Sequence, residues 1–118
     1  MDQSVRLVRP GWLATRVRTK LPALITREGE TAAKRFIEFF TATIRNKNTR
    51  QAYAQAVIQF FDWCDQRGFR SLDQIEPVVV AAYIEQHRGS KPTVKQHLAA
   101  IRMLFDWLVI GQVVPHSP

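Results

Sequence analysis

The sequence predicts an all-α domain, a bundle of four to five helices that follows a basic N-terminal arm. Two observations carry this prediction. Apolar residues recur every three or four positions in four successive stretches, which is the period of a helix with one buried face. Prolines, glycines and asparagines separate these stretches, and no stretch shows the convincing alternation of a half-buried strand.

Each predicted helix has its own start and stop signals. The four helices are expected over about residues 31–44, 49–67, 78–87 and 93–110. Asn46 follows the first, while Gly68 and Gly111 follow the second and the fourth, where glycine commonly ends a helix. Pro77 precedes the third, where proline is tolerated in the first turn. That third helix is short and apolar on most faces, so we expect it in the centre of the core.

The two ends of the chain differ from the bundle in composition. Residues 1–29 contain two prolines, two glycines and no sustained period. We interpret them as a basic arm, partly ordered or docked, whose apolar pieces such as Leu24 and Ile25 pack either on the body or on something absent from this chain. Residues 30–112 make up the helical domain. Residues 113–118 contain two further prolines, so we expect them to begin a linker to another domain.

The net charge of +7 is concentrated in a few places. The stretches Arg45–Arg50 and Arg88–Arg102 hold seven cations and no acid, and each leads into a long predicted helix through a threonine. Residues 1–27 carry a further +5, which leaves −5 on the remainder. A domain polarised in this way favours one extended anionic partner, with nucleic acid as the leading candidate.

The starts of the second and fourth predicted helices carry side chains that suit DNA. Arg50 in a first turn opposes the helix dipole, which a bound phosphate would offset, although a solvated arginine accounts for it equally well. Lys95 and Gln96 precede the small Ala99 on a polar face. There a lysine can reach guanine or a phosphate, and a glutamine can pair with adenine. Threonine hydroxyls and helix N-terminal amides would hold the DNA backbone.

Other kinds of site find little support. A single cysteine, Cys64, excludes an internal disulfide and is expected to be a buried thiol. The three histidines are far apart in sequence, so we predict no metal and no cofactor, and no catalytic constellation can be assembled. His97 is expected to be partly buried. No apolar run is long enough to span a membrane, and we expect a cytoplasmic protein.

Some aromatic and apolar residues are expected in the core, while others lie off the core side of their helix. Trp63 and Trp107, in the repeated FDW of the two long helices, are interpreted as core anchors. Four apolar residues fall off the core side by helical count: Ile58, Phe61, Met103 and Ile110. They belong either to a core packed on two sides or to a docking surface for a missing domain, and the second interpretation is preferred here.

The order and spacing of ten residues across the body match a known pattern: Thr49, Tyr53, Phe60, Trp63, Gly68, Leu72, Thr93, Leu98, Ile101 and Gly111. Over residues 30–118 the chain resembles the N-terminal core-binding (SAM-like) domain of tyrosine recombinases and phage-type integrases. This resemblance implies an orthogonal bundle of two crossed helical hairpins that clamps one face of double-stranded DNA at a core recombination site. The second and fourth helices would border the major groove.

The resemblance also distributes the functional residues. It assigns DNA contact to Arg50, Lys91, Thr93, Lys95 and Gln96, and the charge and hydroxyl patterns add Lys47, Thr49 and Arg102. It places the catalytic residues in a C-terminal domain that this chain lacks, so Tyr53 and Tyr83 are expected to be structural. Its implied partners are double-stranded DNA, the protein's own catalytic domain and neighbouring recombinase protomers, in a bacterial, phage or mobile-element setting.

Two alternatives remain open at this level. A helical protein-interaction module with no DNA role would use the four apolar residues named above as its surface. A self-contained enzyme would need a catalytic constellation that the sequence does not offer. Salt-dependent DNA binding separates the first alternative from the integrase-like interpretation.

Overall fold

A computed structural model describes residues 21–115 and 118. Within this part every regular element is helical, which confirms the all-α prediction. The five α-helices are α1 (Ala23–Thr26), α2 (Glu30–Glu38), α3 (Lys47–Gln66), α4 (Pro77–Gln86) and α5 (Lys91–Ile110). A π-helical turn, Phe39–Thr43, extends α2, and a 3-10 turn, Leu72–Gln74, lies between α3 and α4. Among the described helices, none is both long enough and apolar enough to cross a membrane.

The two long helices begin two residues earlier than the sequence predicts. The Asn46 side chain caps α3 by accepting a hydrogen bond from the Thr49 N–H at 3.0 Å. Ser90 caps α5 in the same way, accepting from the Thr93 N–H at 3.4 Å. The threonines therefore lie in the first turns, and their N–H groups are among those that a helix start leaves without an intrahelical partner.

Helices α3 and α5 are two copies of one pattern. Each has 20 residues, and Lys47 and Lys91 begin them at an offset of 44 positions. Five buried positions coincide at this offset: Ala56 and Ala100, Val57 and Ile101, Phe60 and Leu104, Phe61 and Phe105, and Cys64 and Leu108. The repeated FDW is part of this register, so both helices present the same face to the core.

Aromatic contacts between the helices repeat at the same offset. The rings of Trp63 and Tyr83 lie 5.2 Å apart, joining α3 to α4. Their counterparts, Trp107 and Phe39, lie 6.4 Å apart and join α5 to the π-helical turn after α2. From the first contact to the second, the tryptophan moves forward by 44 positions while its partner moves back by 44. Such an exchange is the pattern that an approximate two-fold axis produces. The hairpins α2–α3 and α4–α5 are the two related units, in agreement with the predicted pair of crossed hairpins.

The contact between Phe61 and Phe105 maps onto itself under this exchange. Their rings lie 6.0 Å apart in a T-shaped arrangement, so the approximate axis passes near them. Each residue is fourteen positions into its helix, counting from Lys47 or Lys91. At 1.5 Å per residue, each basic helix start lies about 21 Å along its helix from this crossing point.

The segment before α2 is part of the packed body. Leu24 and Ile25 are both 0% exposed and belong to the hydrophobic core. Arg27 pairs with Asp65 at 2.9 Å, and its Nε donates to the Arg70 carbonyl at 3.1 Å. These contacts hold the segment against the end of α3. The rest of the predicted arm, residues 1–20, lies outside the described residues.

The ends of α3 and α5 share a left-handed position, but only one is a glycine. Gly68 has φ 88° after α3, as predicted. Helix α5 ends at Ile110 and Gly111 follows it, as predicted, but the left-handed residue equivalent to Gly68 is Gln112, with φ 63°. Gly111 instead meets α2, because a Cβ there would lie 3.0 Å from Arg35 Cδ. Beyond it, Val114 is buried in the core, and Ser117 is outside the described residues.

The apolar residues of uncertain role are divided by the structure. Phe61 is 1% exposed and Ile58 is partly buried against the core, so the bundle packs on two sides of α3. The preferred docking interpretation is therefore wrong for Phe61. Met103 and Ile110 are exposed, at 40% and 76%. Trp63 and Trp107 pack against the core as expected.

Candidate nucleic-acid interface

The start of α3 presents one exposed lysine beside a capped first turn. Lys47 is the first residue of the helix and is exposed. Thr49, two positions later, is half-buried, and its N–H is already taken by Asn46. The positive end of the helix dipole adds to the lysine charge at this point. The arrangement is suited to holding an anion beside the helix start.

The start of α5 repeats the arrangement with more of it exposed. Lys91 is the first residue, and Thr93 is exposed. The Ser90 hydroxyl donates to Thr93 Oγ1 at 3.0 Å while accepting from the Thr93 N–H. Both long helices thus begin with a polar cap, a lysine and, two residues on, a threonine. The threonines and the cations were predicted from the sequence. The side-chain caps, Asn46 and Ser90, were not.

Arg50 is engaged with its own main chain. Its Nε donates to the Ile44 carbonyl at 3.2 Å, and an Nη donates to the Arg45 carbonyl at 3.3 Å. The guanidinium therefore closes the turn between α2 and α3, and the residue is half-buried. A closing role was not part of the sequence prediction, because it depends on carbonyls that turn toward the first turn of α3. The predicted DNA contact of Arg50 stays a prediction.

Lys95, Gln96 and Arg102 are all exposed on α5. Arg102 lines a groove of about 330 Å³ between α4 and α5, where Glu85 is also found. Arg102 thus lies at the α4 side of α5. In the described part of the chain, the ion pairs are Arg27–Asp65 and Arg35–Glu38. Both lie outside the stretches Arg45–Arg50 and Arg88–Arg102.

Two histidines that are ten positions apart in sequence meet at the turn between α4 and α5. His87 Nε2 and His97 Nδ1 lie 2.9 Å apart, and their rings form a T-shaped pair at 4.7 Å. His87 Nδ1 accepts a hydrogen bond from the Gly89 N–H at 2.9 Å. This bond assigns the proton of neutral His87 to Nε2, so His87 donates to His97 Nδ1. The turn is held by two consecutive hydrogen bonds.

The environment of His97 favours the neutral form of its ring. Burial, followed by the neighbouring His87, lowers the pKa of His97 below its ordinary value. Protonated His97 would place a second N–H against the His87 donor. Partial burial of His97 was predicted, whereas its pairing with His87 was not. A signal was present, because the two residues flank the Gly89–Ser90 turn on consecutive helices.

Two side chains with nucleophilic groups, Tyr83 and Cys64, are buried. Tyr83 is 2% exposed, and burial together with nearby Cys64 raises its pKa to about 12. Burial likewise raises the pKa of the Cys64 thiol to about 12. A deeply protonated phenol and thiol are poor nucleophiles at neutral pH. Tyr83 instead packs its ring on Phe60 and Trp63, so it is a structural residue, as expected.

Comparison with known families gives one match. Residues 33–111 match the family model described as phage integrase, N-terminal SAM-like domain. The matched range begins within α2 and ends at Gly111, the residue after α5. No curated protein and no solved structure gives a significant match to the chain.

Proposed function

The chain belongs to the family of phage integrase N-terminal SAM-like domains, and from this membership we propose that it grips double-stranded DNA at a core recombination site. In this proposal the domain is the non-catalytic clamp of a site-specific tyrosine recombinase. The catalytic residues belong to a C-terminal domain of the parent protein. Double-stranded DNA, that domain and neighbouring recombinase protomers are the proposed partners.

One observation carries the proposal: both long helices begin with a polar capping side chain, a lysine and, two residues later, a threonine. Asn46 and Ser90 hold the first turns in equivalent positions, and Lys47 and Lys91 are exposed beside them. A structural role needs neither lysine, because a cation in the first turn of a helix opposes the dipole. A phosphate at each start would reverse that cost.

The approximate two-fold axis supports a shared binding face. A two-fold rotation leaves the height of a feature along the axis unchanged, so equivalent helix starts lie at the same level. The axis passes near Phe61 and Phe105, and each start lies about 21 Å from that contact along its helix. One duplex that approaches along the axis could therefore meet both starts. That the two starts lie on one concave face is part of this proposal.

The exposed residues of α5 divide by chemistry into two kinds of contact. Lys91 and Lys95 suit phosphates, which give affinity without sequence preference. Gln96 lies next to Lys95 and carries the amide that can pair with adenine in the major groove. Thr93 offers a hydroxyl to the DNA backbone. We propose that specificity comes mainly from the start of α5.

A salt titration tests the proposal. Binding of the chain to a fluorescently labelled duplex is measured by anisotropy at several salt concentrations. With about four phosphate contacts, the slope of log K against log salt is expected to be about −3 to −4. A double variant, K47Q/K91Q, removes one equivalent charge from each helix start and should reduce the slope by about 2.

Lys34 supplies the matched control. It is an exposed lysine on α2 outside both basic stretches, so K34Q should leave the slope nearly unchanged. Equal effects of K34Q and either Lys47 or Lys91 substitution would show that only net charge matters. Absence of salt-dependent binding would remove the DNA role and favour a protein-interaction module, for which exposed Met103 and Ile110 are the remaining apolar candidates.

A further inference from the structure

The turn between α4 and α5 joins the basic start of α5 to a feature that the proposed function does not explain. It carries Arg88 and leads to Ser90 and Lys91, where the basic helix start begins. It is also the place where His87 and His97 meet. The equivalent turn between α2 and α3 is closed by Arg50 instead.

We propose that the His87–His97 hydrogen bond positions the start of α5 for DNA, so that protonation of the pair weakens the grip of this helix start. The inference rests on the proposed function and adds a proton-sensitive step to it. His87 and His97 are positioning residues here, acting through the turn rather than by touching DNA.

The geometry gives the mechanism. His87 uses both ring nitrogens, accepting from Gly89 at Nδ1 and donating to His97 from Nε2, with both distances 2.9 Å. A proton added to His97 Nδ1 sets two N–H groups against each other. A proton added to His87 Nδ1 turns that nitrogen into an N–H group, which cannot accept the hydrogen bond from the Gly89 N–H. Either event breaks one of the two bonds that hold the turn.

The other titratable and charged residues of the elements that meet here are Tyr83 and Glu85 of α4, Arg88 of the turn, Lys91 and Lys95 of α5, and Cys64 and Arg67 of α3, of which Cys64 is near Tyr83 and Arg67 stacks on Trp63. The Tyr83 ring lies 5.6 Å from His87, and Tyr83 and Cys64 both have pKa values of about 12. Lysine and arginine side chains stay charged near neutrality. Burial lowers the pKa of His97, which agrees with a neutral resting state of that ring.

Two variants of His97 separate positioning from charge. In H97N the amide oxygen takes the place of Nδ1 and can still accept from His87, but it cannot be protonated. In H97L the acceptor is lost. At about pH 7.5 we expect H97N to bind a labelled mixed-sequence duplex like the unaltered chain, and H97L to bind about fivefold more weakly, the effect of one net hydrogen bond.

The sign of the pH effect is the decisive readout. Lowering the pH to about 5.5 adds positive charge to the unaltered chain but not to position 97 of H97N. Electrostatics alone would make the unaltered chain bind more tightly than H97N at that pH. Positioning gives the opposite order, with the unaltered chain about three to five times weaker than H97N.

A companion experiment reads the turn without DNA. Long-range ¹⁵N NMR of the imidazoles should show His87 as the Nε2–H tautomer at about pH 7.5, and the Gly89 amide shift should move as His97 titrates. The same spectra show whether H97L is folded, and an unfolded H97L leaves the comparison with H97N to decide.

The outcomes are distinct. Salt-dependent DNA binding with H97N weaker than, or equal to, the unaltered chain at about pH 5.5 overturns the inference and leaves the proposed function standing. Absence of DNA binding by every form overturns the proposed function, and the inference with it. Tighter binding of H97N at low pH, with equal binding at neutral pH, supports both.

Discussion

The indole N–H of Trp107 donates a 2.8 Å hydrogen bond to the main-chain carbonyl of Arg35 and so ties α5 to α2. Its counterpart at the offset of 44 positions, Trp63, has a buried indole nitrogen without a hydrogen-bond partner among the described residues. Two equivalent tryptophans therefore have unequal surroundings. The approximate symmetry of the bundle extends to ring packing and helix capping but not to the hydrogen bonding of these two indoles.

The two tryptophans make a matched pair for stability measurements. Both W107F and W63F lose ring volume, but W107F also removes a satisfied hydrogen bond, whereas W63F removes an unsatisfied donor. We expect W107F to lower the free energy of unfolding by about 1–3 kcal/mol more than W63F. Urea unfolding followed by circular dichroism measures both. Equal losses would mean that Trp63 finds a partner in solution.

The left-handed residues at the helix ends give a second pair. Gln112 holds φ 63°, a region that costs a non-glycine residue about 1–2 kcal/mol. We expect Q112G to raise the unfolding free energy by about 0.5–1 kcal/mol, after the added entropy of glycine in the unfolded chain is subtracted. G68A should lower the unfolding free energy by about 1 kcal/mol, because an alanine is strained at φ 88°. The space around Gly68 is open, so no steric clash adds to this cost. Thermal unfolding of both variants tests the signs, which should be opposite.

Arg50 and Lys47 differ in how much the fold needs them. Arg50 donates to the carbonyls of Ile44 and Arg45, so R50M should lower the unfolding free energy by about 1–2 kcal/mol. K47M should change it by less than about 0.5 kcal/mol, since Lys47 is exposed. Chemical denaturation without DNA measures both. If R50M is as stable as K47M, the closing role assigned to Arg50 is contradicted.

Lys95 and Gln96 should affect DNA binding in different ways. K95Q is expected to weaken binding to all sequences and to lower the salt slope by about 1, because lysine contributes a phosphate contact. Q96A should leave that slope unchanged and relax the preference at one base pair, by about 1–3 kcal/mol. Selection of preferred sites from a randomised duplex library, followed by salt titration, separates the two effects. As in the test of the helix starts, K34Q is the control for charge alone.

Stability should fall on mild acidification because of His97. Its folded-state pKa lies below the unfolded value of about 6.5, so the unfolded chain binds more protons between the two values. The stabilisation is complete above about pH 6.5 and is lost as the pH falls through the lower, folded-state value. We expect the difference in unfolding free energy between pH 7.5 and pH 5 to be smaller in H97N than in the unaltered chain. An unchanged difference would show that His97 does not control it.

Helix periodicity made much of this fold predictable from sequence. The apolar stripe of Val57, Phe60 and Cys64 is buried as expected, because a 3.6-residue period defines a face before any partner is known. The period could not show how wide that face is. Phe61 lies to one side of the stripe and is buried because α2 and α5 both pack there, as its ring contacts with Phe36 and Phe105 show.

The candidate interface was predictable only in its charges. Lys91, Lys95 and Gln96 are exposed at the start of α5, as local helix geometry requires. The main-chain role of Arg50 and the meeting of His87 with His97 depend on how a turn closes in three dimensions. Side chains separated by a turn of uncertain shape have no fixed distance in a helical pattern, so neither contact could be derived from spacing alone.

The two turns that lead into the long helices are alike in shape and different in chemistry. Arg50 closes the first with a guanidinium that donates to two main-chain carbonyls. The second is closed by two hydrogen bonds at His87, one of which an added proton would break. Acid response is therefore a local property of residues 87–97 and not of the architecture. It would be portable, moving with that short segment if the turn were grafted onto another hairpin of the same length.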